Sequence, residues 1–549
     1  MFGDQKVGWT FLFNNLRKVC LLLTLTEREN NLRELKAWLQ NIALISALSL
    51  LYTLFFTPCV QAQESYQPYP LGLRTAGMGG AAAAFGKDSA MSWWNPAGIA
   101  ANQGQSFGAS ANGMVLDMLS VENYFRLSDR LQESLGTDDD TTRSRFESRS
   151  LSLFPNSVSY ALTIAPNHYL ALSMIVPYRR TEDSLVEILI DPSAGIYTEY
   201  YSDGYRELNF YEFGPSYAVR FSPTSRFGIS AMLRYGSYLS IAAQENVNQE
   251  TASKTLTLFS RESSFRGTSY DLDIGAGFQF GPYDGFSIGF SFHAPSIHLT
   301  GEMRRNRRTY VASGGSALVL IEDEEVTADD YILKTPPWFV FGIGYESPKR
   351  WAVALDASYW MPIEEFDQYD GQLNSRSVST VPEQRLLERA ADVTLARQYG
   401  GVLNLNLGFE AYLSERTILR VGAFTDRSNQ PLLPLEEERV TSDIGTRMYD
   451  RYGATLGLAQ GTNGDALQLG LVFLYGQGEM VGWRYDPVDP TYPTETIVAT
   501  SVILNFSGQL DASALFEKIA SPSKESIPAQ TAPSPQPKRE KKKEQEEWY

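Results

Sequence analysis

From residue 209 onward the sequence returns repeatedly to a period of two. In "NFYEFGPSYAVRFS", starting at Asn209, the residues Tyr211, Phe213, Tyr217, Val219 and Phe221 fall on one side; Glu212, Gly214, Ser216, Ala218 and Arg220 fall on the other. This is the alternation of an extended strand whose two faces meet different surroundings. "YDLDIGAGFQF" from Tyr270, "FSIGFSFH" from Phe286, "WAVALDASYWM" from Trp351, "LNLNLGFEAYL" from Leu403 and "LQLGLVFLY" from Leu467 repeat it. One face is greasy, the other small, polar or charged. Soluble sandwiches also alternate, but with shorter strands and the charged face outward.

The connections separate the two readings. Those near Pro166 and at Ser222–Ser225, Gly281–Gly285, Ser347–Arg350, Ser414–Arg416 and Gly461–Gly464 are tight. Between them lie long ones, Leu116–Ser152, Thr181–Tyr205, Asn246–Arg266, Arg304–Asp330, Glu364–Arg397 and Gln430–Thr446. Strict alternation of short and long connections predicts an all-β, transmembrane antiparallel barrel with periplasmic turns and extracellular loops. Residues 105–508 hold about fourteen strands, an even number, and the barrel must close because an open edge in lipid leaves backbone groups unpaired.

The front of the chain reads as a leader. Arg33 and Lys36 precede the apolar run Ile42–Phe56, and Val60 and Ala62 supply small residues before an expected cut after Ala62. The run is shorter than the ~20 residues of a membrane anchor. A lipoprotein reading through Cys59 is disfavoured by Thr57 and Pro58. Residues 1–62 are therefore an N-terminal extension and cleaved signal peptide, delivering the protein to the cell outer membrane. Cys20 and Cys59, the two cysteines, both lie within it, so disulfides, Cys-bound metals and Cys nucleophiles are excluded from the rest. A net charge of −17 argues against nucleic acid, which needs a basic surface.

Between leader and first strand lies "AGMGGAAAAFGKDSAMSWWNPAGIA", Ala76–Ala100. It is glycine-rich and small, then aromatic, then turned by Asn95-Pro96, and it fits neither helix nor strand periodicity. Placed at the periplasmic mouth of a wide lumen, residues 63–104 read as a hatch: small residues allow compact folding in a confined space. At the other end, "SPSKESIPAQTAPSPQPKREKKKEQEEWY" cannot bury a core. Residues 509–549 are expected to be a disordered periplasmic tail, a spacer or a site for a periplasmic partner.

The run Gly77-Met78-Gly79-Gly80-Ala81, Asp88 and Asn95-Pro96-Ala97-Gly98, followed by about fourteen strands, resembles the FadL-type family of outer-membrane transporters for long-chain fatty acids and other hydrophobic molecules. The resemblance spans roughly Gly72 to Phe506. It implies that Gly77, Gly79, Gly80, Asp88, Asn95, Pro96, Ala97 and Gly98 form the hatch or gate. It also implies that a hydrophobic, fatty acid-like molecule is caught among extracellular loops and leaves sideways beside a kinked third strand. Barrels associated with type IX secretion share much of this signature, so a scaffold or secretion-associated barrel without small-molecule transport is the alternative. The tail after Phe506 departs from the family pattern.

Candidate ligand residues follow from the alternation. Arg220, Arg234 and Arg420 fall on the lumen side and suit a carboxylate headgroup, yet Glu212, Asp271, Asp273, Asp356 and Glu410 share that side, and such charges commonly brace a barrel. Apolar patches at Met114–Leu119, including Leu116, at Ala317–Ile321, including Leu318 and Leu320, and at Leu432–Leu435 are expected in loops, where they suit ligand capture or self-packing. Pro177 in strand three, read as Tyr169–Tyr178, removes a ladder donor; it either opens the wall or ends the strand at the rim. The acidic runs Asp138–Asp140, Glu322–Glu325 and Glu436–Glu438 carry no metal-ligand spacing and read as solvated loop tips. With His168, His293 and His298 as its only histidines, the chain shows no lipid-facing Ser–His pair and no catalytic residues are assigned. No cofactor and no metal is expected; the surrounding partners are outer-membrane lipid and lipopolysaccharide.

Overall fold

In the computed structural model the described residues are 65–512, except residues 89, 102–103, 128, 130–143, 191–195, 251–254, 315–317, 381–385, 431–446, 462–465 and 486–492. The leader lies outside them, as do residues 513–549 of the expected tail, Leu432–Leu435, Asp138–Asp140 and Glu436–Glu438; residues 509–511, read from the sequence as tail, are the end of the last strand.

The strands are β1 (Ser106–Leu127), β2 (Ser144–Ala165), β3 (His168–Ile190), β4 (Ile196–Ser222), β5 (Ser225–Glu250), β6 (Thr255–Tyr283), β7 (Phe286–His293), β8 (Ile297–Ser313), β9 (Leu318–Ala328), β10 (Trp338–Ser347), β11 (Trp351–Trp360), β12 (Ile363–Ser379), β13 (Leu386–Tyr399), β14 (Val402–Tyr412), β15 (Thr417–Asp426), β16 (Arg447–Gly461), β17 (Ala466–Val481), β18 (Trp483–Tyr485) and β19 (Thr494–Asp511). Four bent strands are made of two segments each: β7 with β8, β9 with β10, β11 with β12 and β13 with β14. The two halves of each keep one place in the wall, since β7 pairs with β6 and β10 while β8 pairs with β6 and β9. The short β18 lies parallel to the far end of β1. What remains is a wall of fourteen antiparallel strands, closed where β1 pairs with β19 from Ser106↔Asp511 to Val121↔Ile497.

Inside-outside alternation is strict in the half nearest the tight turns. On β14, Leu403, Leu405, Leu407 and Phe409 are exposed while Asn404, Asn406, Gly408 and Glu410 are buried. On β7, Phe286, Ile288, Phe290 and Phe292 face out, and Ser287, Gly289, Ser291 and His293 face in. An apolar belt around a polar, filled interior is the arrangement lipid demands of a barrel.

The strands outrun the membrane. β6 has 29 residues, a contour of roughly 95 Å, more than twice the ~30 Å hydrocarbon core even after tilting. Much of what the sequence reading assigned to long loops is strand: Thr181–Tyr205 and Asn246–Arg266 lie mainly in the β3–β4 and β5–β6 ladders. Met114 and Leu116 are likewise in β1, paired with Leu504 and Val502, and Leu318 and Leu320 are in β9. The acidic run Glu322–Glu325 is also strand rather than loop tip. It faces the basic run of β8, with Arg308–Asp323 at 2.7 Å, Arg304–Glu325 at 2.6 Å and a close Arg307–Glu324 pair.

Candidate functional site

Residues 65–101 sit inside the barrel, almost all buried. Their described residues hold two short helices, α1 (Arg74–Gly77) and α2 (Met91–Trp94), a 3₁₀ turn at Pro96–Ala101 and a bridge from Ser65 to Ser428. Asp88 ties the segment to itself. One carboxylate oxygen accepts from the Leu73 and Thr75 amides, both at 3.0 Å, and from the Thr75 hydroxyl at 2.9 Å, and the other accepts from the Ala90 amide. Gly72, at φ +91°, passes so close that a Cβ would lie 2.6 Å from the Asp88 carboxylate, which only glycine tolerates.

Asn95, fully buried, ties the segment to the wall. Its side-chain amide donates to the Ala83 carbonyl at 2.9 Å and to the Phe278 carbonyl of β6 at 3.1 Å, and its oxygen accepts from the Ala97 amide. The wall answers with polar side chains at the right heights. Asp356 accepts from the Ala82 and Ala83 amides at 2.7 and 2.8 Å, Asn406 donates to the Gly79 carbonyl at 2.6 Å, Thr455 to Gly77 and Ser291 to Trp94. Between them the lumen face is glycine because backbone is pressed against it. A Cβ on Gly228 would sit 2.3 Å from the Pro96 carbonyl carbon, and one on Gly289 would sit 1.8 Å from the Ala83 oxygen. Gly80 and Gly98 have their own close neighbours, Asn406 and Gly86.

The sequence-named arginines are all engaged. Arg420 donates to Glu410 at 2.7 Å, and Glu410 also holds Arg74 of α1 at 2.9 Å, with Glu346 adding a second carboxylate at 3.3 Å. Burial alone would lower the Arg74 pKa, but the two carboxylates outweigh it and raise it above the usual guanidinium value. Arg220 donates to the Ala100 carbonyl at 3.1 Å, at the end of the segment. Arg234 is held by Asp271 at 3.0 Å and Asp273 at 3.5 Å.

Pro177 stands inside β3, which runs on to Ile190, rather than at a rim. The ladder to β4 skips from Ile175 to Tyr178. Toward β2 it stops: Ser157 faces Ile175, and the next rung is Ser148 with Ser184. Two strand edges therefore face each other unpaired over residues 149–156 of β2 and 176–183 of β3, about four repeats of the pleat. The seam is covered from within by Tyr69, whose hydroxyl donates to the Val176 carbonyl at 2.9 Å and whose ring lies 5.4 Å from Phe154 of β2; Arg179 of β3 crosses over the same Phe154 ring at 5.1 Å.

Beside the seam is a chamber that sequence reasoning missed. Pro177, Tyr178, Phe210, Glu212, Arg234, Asp273, His293, Thr335, Trp338 and Trp360 line it from the wall, and Tyr66 and Trp93 from the hatch. His293 stacks on Trp338 at 3.9 Å, Trp338 on Trp360 at 4.3 Å and Trp360 on Tyr66 at 4.6 Å, with Trp93 against Trp338 at 5.0 Å. The open space is about 30 Å³, room for a water or two. Inward-facing tryptophan was the available signal: Trp338 and Trp360 share the lumen face of β10 and β11.

The apolar candidates do not join this chamber. Met114 and Leu116 flank the inward-facing Val115 on β1, on the opposite face. Ser269 comes within 3.4 Å of His298 Nδ1, but it is fully buried and donates to Asp271 at 2.9 Å, a bracing network rather than an activated nucleophile. Among the described residues no cluster of His, Cys, Asp and Glu is suited to a metal ion.

No protein-family model and no curated protein matches the sequence, but solved structures do. The P. putida toluene transporter TodX superposes with a TM-score of 0.53 at 13% identity, over 80% of this chain and 98% of that one. The CymD monoaromatic hydrocarbon channel (TM-score 0.49, 12% identity, 80% and 97% covered) and a Pseudomonas aeruginosa FadL homologue (0.47, 14%, 82% and 100%) are also similar. The hatch, the closed wall and the TodX superposition together make this chain an outer-membrane β-barrel of FadL-type fold.

Proposed function

We propose that the protein takes up hydrophobic small molecules across the outer membrane, through a hatch-plugged barrel with a side exit between β2 and β3. The observation that carries this is the unpaired seam beside Pro177 opening from an aromatic chamber. Unpaired backbone facing lipid is costly, and here hatch residue Tyr69 caps it. A rearrangement of the hatch then uncovers both chamber and exit at once. Toluene-like and fatty acid-like molecules are the two substrate classes to compare. The Asn95–Ala97 turn and Asp88 act as the fixed part of the gate, and Arg420 with Glu410 as its clasp.

The chain has no cysteine after Cys59, so Phe154→Cys and Arg179→Cys place the only thiols of the barrel on either side of the seam. In Gram-negative cells producing this variant, a bifunctional methanethiosulfonate reagent is expected to lower uptake of radiolabelled toluene or oleate at least tenfold, with recovery on reduction. Uptake that is unchanged with the bridge formed rules out the side exit. Uptake no greater than in cells lacking the barrel rules out the transport reading.

A further inference from the structure

The chamber's own chemistry narrows what passes. Its rings form a column in which the hatch supplies the end member: Tyr66 lies nearly parallel to Trp360, with 13° between planes, and Trp93 leans on Trp338. The hatch thus fills with its own phenol and indole the places that a flat guest would take, which explains why the space left is only about 30 Å³.

On the wall side of that column two polar atoms have no partner. Trp360 Nε1 and His293 Nε2 are buried without a hydrogen bond, and both residues are more than nine-tenths buried. A neutral imidazole makes one hydrogen bond at each ring nitrogen, donating at one and accepting at the other, and the bond at Nε2 is not made. An unpaired polar atom in a buried apolar wall calls for a hydrogen-bonding group from a guest.

The charged corner works in the other direction. Arg234 is the cation there, and it is already held by Asp271 and Asp273, with Glu212 opposite it on the neighbouring strand. Its guanidinium is already committed, so a carboxylate guest finds no free cation to receive it.

We infer that the chamber selects uncharged aromatic molecules bearing a hydroxyl, of the phenol type, which can donate or accept, and discriminates against carboxylates, with His293 as the residue that reads the hydroxyl. This deepens the uptake reading and rests on it.

The test is a matched set, 4-ethylphenol, ethylbenzene and 4-ethylbenzoate, titrated calorimetrically into the full barrel in detergent with a micelle blank. The phenol is expected to bind about fivefold more tightly than the hydrocarbon, one hydrogen bond's worth, and the benzoate to show no saturable binding. His293→Phe keeps a ring on Trp338 and is expected to bring the phenol-to-hydrocarbon ratio close to one, whereas His293→Gln, which keeps a hydrogen-bonding group, restores part of it. A second variant leaves the column untouched: Glu212→Gln with Asp273→Asn is expected to admit the benzoate. Benzoate binding as tight as phenol in the parent, or an unaltered ratio in His293→Phe protein that still migrates as a folded barrel, overturns the inference. Neither result bears on whether cells producing the barrel take up toluene, so failure of the selectivity and failure of the transport reading are distinguishable.

Discussion

Glu410→Gln is the most direct probe of how the hatch is held. Glu410 is 1% exposed and serves two guanidiniums at once, Arg74 from the hatch at 2.9 Å and Arg420 from β15 at 2.7 Å. The substitution keeps the shape and one acceptor oxygen but removes the charge between two buried cations. Removing one member of a buried ion pair costs about 3–5 kcal/mol. Glu346, with 29% of its side chain exposed, retains part of the hold on Arg74, so the lower end, about 3 kcal/mol, applies. When the hatch leaves, water reaches Arg420 and hydrates it, so the cost falls mainly on the closed state. At about 1.4 kcal/mol per decade, the released population rises roughly a hundredfold. Planar-bilayer recordings are expected to show frequent openings absent from the parent, and a protease added on the short-turn side is expected to cut within residues 65–101. The wall itself depends on its ladder, so its mobility as a folded barrel on a gel is expected to stay the same. Unchanged leak together with unchanged protease protection would show that the clasp does not hold the hatch.

Asn95→Ala removes the bonds to the Ala83 and Phe278 carbonyls and is expected to loosen the same segment by about 1–3 kcal/mol, raising conductance less than Glu410→Gln does; parent-like conductance and ligand retention would reduce Asn95 to a turn residue. Gly228→Ala drives a methyl into the Pro96 peptide, where only backbone can yield, so protease protection of the Asn95–Ala101 turn is expected to be lost while the barrel still forms; retained protection would refute the close seat.

The strand half of this architecture was legible because lipid imposes a period of two, and segments such as Leu403–Tyr412 carry it without interruption. The same criterion misplaced the strand ends. Beyond the belt both faces of the sheet meet water, so Arg304–Arg308 and Glu322–Glu325 lose the apolar alternation while their backbones stay paired, and a polar strand resembles a loop. Asp88 and Asn95 were legible as polar residues of an otherwise small and apolar segment, and their partners are backbone groups, the Leu73, Thr75 and Ala90 amides for Asp88 and the Ala83 and Phe278 carbonyls for Asn95. The glycines at 228, 277 and 289 read only as a small face, since their purpose depends on which hatch atom lies opposite. The chamber was invisible for a similar reason. His293, Trp338 and Trp360 become neighbours only through the pairing of β7 with β10 and β10 with β11, and Tyr66 reaches the stack from the hatch.

That distance has a consequence for how the molecule is made. Arg74 meets Glu410 across 336 positions and Leu73 meets Gln468 across 395, so the part of the hatch that leaves the export machinery first must wait for nearly the last strands before its polar groups are satisfied. Loop closure on that scale is slow, and in the interval the segment is a soluble, glycine-rich chain with unpaired amides. The wall is therefore expected to gather around the hatch rather than the hatch to enter a finished barrel, since β14 to β17 can offer Asn406, Glu410, Arg420, Thr455 and Gln468 to it before β19 reaches β1. In assembly terms the plug is a mandrel on which the cylinder is rolled.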